Sequence, residues 1–99
     1  MKEIKIPFKK MFEGKLVAGE KTCTLRTKQY GKPGDTFVIF DNSFELIAVC
    51  PTTVCLGINY LYKQEGFDQP GLLWKVWEEI HPQLSHEAVV FAHFFRRVK

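Results

Sequence analysis

Lys21, Thr24 and Arg26 offer the most chemistry in this chain, within the run Gly19-Glu20-Lys21-Thr22-Cys23-Thr24-Leu25-Arg26. A lysine three residues before a hydroxyl can act as a base beside a nucleophile. A threonine hydroxyl is a poor nucleophile until such a base takes its proton. An ordinary lysine titrates at about 10.4, so its neutral amine costs about 4.6 kcal/mol at pH 7. Burial or a neighbouring cation lowers that cost. Arg26 supplies the cation if it projects into the same pocket, where it would also stabilise an oxyanion. The plain alternative is a solvated lysine, a β-forming threonine and a surface arginine.

These residues need a turn to bring them together. A helical pattern runs into Gly19, and glycine just past a helix takes the left-handed backbone that other residues resist. From Thr22 the side chains alternate, so Thr22, Thr24 and Arg26 share one face. Cys23 and Leu25 share the other, which is apolar and faces a core. Lys21 has the wrong parity, and joins Thr24 only if the chain turns between them.

Upstream, Ile4 and Ile6 alternate with Lys5 before Pro7, as a short strand or extended arm. Phe8, Met11, Phe12, Leu16 and Val17 then recur at helical spacing, with Lys9, Lys10 and Lys15 on the solvated face. Residues 27–35 are dense in turn formers, and Pro33-Gly34 suits a type II turn. Thr36 to Phe40 reads as a strand, and Asp41-Asn42-Ser43 as a hairpin turn into Phe44 to Cys50. Pro51 interrupts, so Thr52 to Leu56 either continues past a bulge or begins a new edge strand. A helix is expected over Ile58 to Gln64, leaving through Glu65-Gly66-Phe67. Asp68 is placed to cap the next helix, with Pro70 in its first turn. That helix carries Leu73, Trp74, Trp77 and Ile80 as a core stripe, the tryptophans being core rather than a stacking platform, and Pro82 ends it. Ala88 to Phe95 is the last strand, followed by the basic run Arg96-Arg97-Val98-Lys99.

Ninety-nine residues at 45% hydrophobic and 14% aromatic describe one globular domain, 1–99, with a modest core. No apolar run approaches the ~20 residues of a membrane span, and no apolar stretch follows the first lysines as in a secretory signal. A cytoplasmic protein is expected. Cys23, Cys50 and Cys55 are odd in number, lie in apolar runs and read as small core residues. They form no zinc-ligand spacing with His81, His86 or His93, so no metal is expected. A net charge of +3 and a pI of about 8.8 are compatible with nucleic acid without requiring it.

Gly-x-Lys-x-x-Thr-x-Arg after a short helix resembles the signature of the ASCH domains, small relatives of the PUA barrel. Gly34-Asp35 opening a strand, Gln64-Glu65-Gly66-Phe67, a tryptophan-bearing helix ending at His81-Pro82, and a strand through Val89-Val90-Phe91 follow that family's order. The resemblance spans nearly the whole chain. It implies an α+β, PUA-like fold: a mostly antiparallel β-barrel with about three peripheral helices. One subgroup, the YqfB type, hydrolyses N4-acetylcytidine to cytidine and acetate with a lysine, a threonine and a glutamate. Carried over, these fall on Lys21, Thr24 and Glu65. Thr24 would be the nucleophile and Lys21 its activator, with Glu65 sharing a proton as acid/base. Arg26, Tyr30 and Phe67 are the candidate substrate contacts, the two rings by stacking, though each ring also suits a core or loop anchor. The expected partner is a small modified nucleoside, with weak RNA binding, no membrane, no cofactor and a monomeric chain. Two other readings remain. One is an RNA-binding module in which Lys21 and Arg26 touch phosphate or a base edge. The other is an RNA-cleaving domain using Lys21 and Glu65 on a ribose 2′-OH.

Overall fold

Alternating apolar positions in four segments build one antiparallel sheet in the computed structural model, which describes residues 2–98. The strands are β1 (Cys23–Arg26), β2 (Thr36–Ile39), β3 (Asn42–Thr53) and β4 (Val89–Val98), in the order β1-β4-β3-β2. The sheet curls into a half-barrel. Ahead of it lie a 3-10 turn (Lys10–Phe12) and helix α1 (Glu13–Val17). Helices α2 (Val54–Leu61) and α3 (Pro70–Ile80) separate β3 from β4. The first described residues form an extended arm, bonded to β2 through Ile4 N–H to the Thr36 carbonyl and Thr36 N–H to the Lys2 carbonyl.

Both faces of the sheet are covered. Cys23, Leu25, Val90 and Ala92 pack with Val54, Ile58, Leu73 and Trp77 against α2 and α3. On the other face Phe37, Phe44, Leu46 and Phe95 pack with Ile6 and Leu16. Phe37, Phe44 and Phe95 form a ring cluster with centroids 5.3–5.6 Å apart. Such rings bury much area in little volume, which suits a small core.

Several boundaries depart from the sequence expectation. The β2–β3 hairpin turns at Phe40 and Asp41, both left-handed, so Asn42 and Ser43 already belong to β3. Pro51 lies inside β3, opposite Phe91, and the register shift sits upstream between Leu46 and Ala48. β2 pairs only with Asn42 to Glu45, so beyond that β3 has β4 alone beside it and a missing N–H is tolerated. Helix α2 begins at Val54 rather than Ile58, because Thr53 Oγ1 accepts the Leu56 N–H (3.2 Å) and caps it. Asp68 does not cap α3. Gln69 is the N-cap, without a side-chain bond, and Pro70 is the first helical residue. The pattern from Phe8 to Val17 is shorter as structure, a 3-10 turn passing into a five-residue helix. Arg96 and Arg97 continue β4, and Lys99 lies outside the described residues.

Candidate active site

Two helix-ending glycines aim the polar residues of the site. Gly19 (φ 78°) closes α1 with its N–H on the Leu16 carbonyl and the Glu20 N–H on the Lys15 carbonyl. Gly66 (φ 94°) closes the turn after α2 in the same way, through its own N–H to Lys63 and Phe67 N–H to Tyr62. This pair of hydrogen bonds across a left-handed residue stops a helix and redirects the chain. Lys21 follows the first stop and Glu65 precedes the second. The Gln64 carbonyl accepts from both Thr22 N–H (2.7 Å) and Cys23 N–H (3.0 Å), which locks the two segments together.

The outcome is a buried ion pair. Lys21 is 2% exposed and Glu65 5%. Lys21 Nζ donates to Glu65 Oε1, to the Glu65 carbonyl (3.1 Å) and to the Cys23 carbonyl (3.1 Å). Glu65 Oε2 accepts the Leu25 N–H at 3.1 Å. All three protons of an ammonium therefore have acceptors, and both carboxylate oxygens have donors. Phe12 lies 4.6 Å below Nζ, adding a cation–π contact.

Thr24 and Arg26 alternate on β1 as the spacing predicts, with Thr24 opposite His93 in the sheet. Thr24 Oγ1 accepts from Arg26 Nε at 3.1 Å, which leaves its own proton for another partner. The guanidinium rests 4.8 Å from the Phe8 ring. Burial pulls Arg26 below its ordinary value, with Tyr30 and Glu65 acting against that shift.

A cleft of about 320 Å³ opens over these groups. Small-molecule sites run from roughly 300 to 1,000 Å³. Lys21, Thr24, Arg26 and Glu65 all line it. The rest of its wall is apolar and comes from the arm and first turn (Phe8, Phe12) and from α3 (Leu73, Val76, Trp77, Ile80). Pro7, Leu25, His81 and the exposed Lys9 complete it.

The two stacking candidates are not in that lining. Tyr30 packs edge-on against His93 and joins the phenylalanine core. Phe67 joins the α2–α3 core and meets Phe12 edge-on at 6.0 Å. Each is an anchor here, the other role its sequence context allowed. The rings at the cleft are Phe8, Phe12 and Trp77. Helical periodicity marks all three as apolar without saying which cavity they edge. His93 is fully buried: its Nε2 accepts the Tyr30 N–H (3.0 Å) and its Nδ1 donates to the Phe91 carbonyl (3.0 Å). It ties the 27–35 loop to the sheet, which sequence reading missed because both partners are backbone groups. Among the described residues no group of three or more His, Cys, Asp or Glu could hold a metal ion, and no helix is long and apolar enough to cross a membrane.

No protein-family model and no curated protein matches the chain. Solved structures do. An ASCH domain from Lactobacillus crispatus JV V101 aligns with TM-score 0.71 at 12% identity, covering 97% of this chain and 78% of that one. The hypothetical protein PH0355 aligns with TM-score 0.75 at 14% identity, covering 99% and 100%. Protein EF3133 from Enterococcus faecalis V583 aligns with TM-score 0.59 at 18% identity, covering 86% and 68%. The chain thus has the fold of an ASCH domain.

Proposed function

We propose that the cleft is the active site of an amidohydrolase that removes the acetyl group from the exocyclic N4 of N4-acetylcytidine. One observation carries this reading. A buried Lys21–Glu65 pair lines the same apolar cleft as a Thr24 hydroxyl held by Arg26.

The charged pair is not yet a base, since every lysine proton is committed. Transfer of one proton from Lys21 Nζ to Glu65 Oε1, along the bond they already share, leaves a neutral amine and a neutral acid with no change in net charge. The pair thus holds one shared proton. The neutral amine takes the Thr24 proton as Oγ1 bonds to the acetyl carbon, and the carbonyl electrons move to its oxygen beside Arg26. The C–N bond then breaks, its electrons going to N4, which takes a proton from Lys21. Cytidine leaves. Water then attacks the acetyl ester of Thr24, giving a proton to the Lys21 amine, which passes it to Thr24 Oγ1 as the ester C–O bond breaks; acetic acid leaves and ionises to acetate in solution. The apolar walls keep other water away, which strengthens each electrostatic contact.

The test is chromatography of cytidine released from N4-acetylcytidine by the purified protein. Thr24→Ser should retain part of the turnover, because a hydroxyl remains, and Thr24→Val should lose at least about 100-fold. Unchanged turnover in Thr24→Val would remove the acyl-enzyme route.

A further inference from the structure

Trp77 is 5% exposed and lines the cleft, yet its indole Nε1–H meets no acceptor among the described residues. The contrast with Trp74, one turn away, is sharp. Trp74 Nε1–H donates to Asn59 Oδ1 at 2.9 Å, on the exposed side of α3. Buried donors in native proteins are nearly always paired, so one without a partner at a cleft asks for an explanation there. The side chains around it on α3 are Leu73, Val76 and Ile80, none of which can accept a hydrogen bond. Beside it in the lining is His81, whose ring lies 4.5 Å from the indole at 46°.

We infer that Trp77 Nε1–H is a specificity contact of the cleft, donating to an uncharged acceptor on the ring that bears the acyl group. For the substrate proposed above this is the cytosine O2 carbonyl, and the inference rests on that reading. In that reading the acyl carbonyl oxygen is already served by Arg26, so a separate donor on α3 suits a second acceptor on the same planar ligand. Sites that hydrogen-bond a substrate group reject analogues lacking it, because their own polar atom is then left unpaired. The cleft would therefore prefer acylated pyrimidinones to acylated anilines of similar shape. His81 beside it is held below its ordinary value, by burial first and then by Arg26, so near neutral pH it adds no charge against a neutral base.

Two measurements test this together. In the ¹⁵N-labelled protein the two indole N–H resonances are assigned by losing one in Trp77→Phe, and cytidine, the product, is titrated in. The Trp77 resonance should move downfield while that of Trp74 stays, since Trp74 already has its acceptor. In turnover of N4-acetylcytidine, Trp77→Phe should raise KM about tenfold with kcat within about twofold, the loss expected for one neutral hydrogen bond. An unchanged KM overturns the inference whatever the indole does, because ring stacking alone also shifts that resonance. A stationary Trp77 signal overturns it too, if backbone amides of Leu25 and Arg26 respond to cytidine. In both cases wild-type turnover keeps the amidohydrolase reading standing. Wild type that neither turns over the substrate nor responds to cytidine overturns both.

Discussion

Lys21 and Glu65 are safe to bury only together. Removing one partner of a buried pair leaves an uncompensated charge and costs about 3–5 kcal/mol. Lys21→Met and Glu65→Gln should therefore each unfold at clearly lower urea, while the double variant should recover part of the loss. Lost activity in either single variant then mixes chemistry with folding, and Thr24 is the cleaner probe. His93 gives a pH signature. Burial holds its ring below the ordinary value of 6.5, against the opposing bond to the Phe91 carbonyl. The unfolded chain takes up a proton near that ordinary value and the folded chain only lower. Stability from this group is thus complete above about 6.5 and falls as pH drops from there towards the folded value. Urea melts of wild type from pH 7 to 5 should show this decline, and His93→Gln should flatten it. At this scale the sequence was legible where type and spacing met, in Lys21, Thr24 and Arg26. Glu65 needed the family resemblance, since nothing in Gln64-Glu65-Gly66 says which lysine the carboxylate meets. The cleft rings were not legible, because periodicity marks an apolar face without marking its partner.

The elements that aim the site are helix stops rather than helices. A β-carbon added at Gly66 would lie 3.0 Å from Lys15 Cδ and 3.4 Å from Lys21 Cβ, on a backbone with φ 94°. Left-handed backbone costs a non-glycine residue about 1–2 kcal/mol. Gly66→Ala should lower the melting temperature and also reduce kcat, since Glu65 moves with it. Gly19→Ala bears the same backbone cost with nothing near its β-carbon, so its effect should be mainly on stability. Thr53→Ala should lose about 1 kcal/mol by uncapping α2. Two glycine positions were legible: Gly19 ends α1, and Pro33-Gly34 turns with Gly34 at φ 95° and Asp35 N–H on the Lys32 carbonyl. The start of α2 was not, because threonine suits a strand end and a cap equally and Pro51 reads as a break. A proline inside β3 is tolerated only because one side of that strand lacks a neighbour, which is a fact about the sheet.

Across the described residues the basic side chains are dispersed, and several are engaged. Lys10 pairs with Glu13 and Arg96 with Glu45. Lys15 donates to the Gly66 carbonyl, Arg97 to the Val17 carbonyl, and Lys28 lies over Tyr30. A nucleoside has no phosphate, so kcat/KM on N4-acetylcytidine should barely change between low and moderate salt. RNA binding should be weak, and a module neutralising three phosphates of single-stranded RNA would show a log–log salt slope of about −2. Tight RNA binding at physiological salt with no turnover of the acylated nucleoside would favour the binding module instead. The sheet and its helical cover were legible at this scale from the run of strands, helices and turns. The cleft was not, since it is edged by the N-terminal arm, β1 and α3, which meet only in the folded chain.

β4 sits between β1 and β3, although the ribosome makes it after both. Until Val89–Val98 has been translated, the short strand carrying Thr24 and Arg26 has no strand partner in the sheet. Pairings between such distant segments slow folding and leave unfinished sheet edges open to aggregation. The candidate site is therefore completed late: β1, which carries Thr24 and Arg26, gains its strand partner only once β4 has left the ribosome.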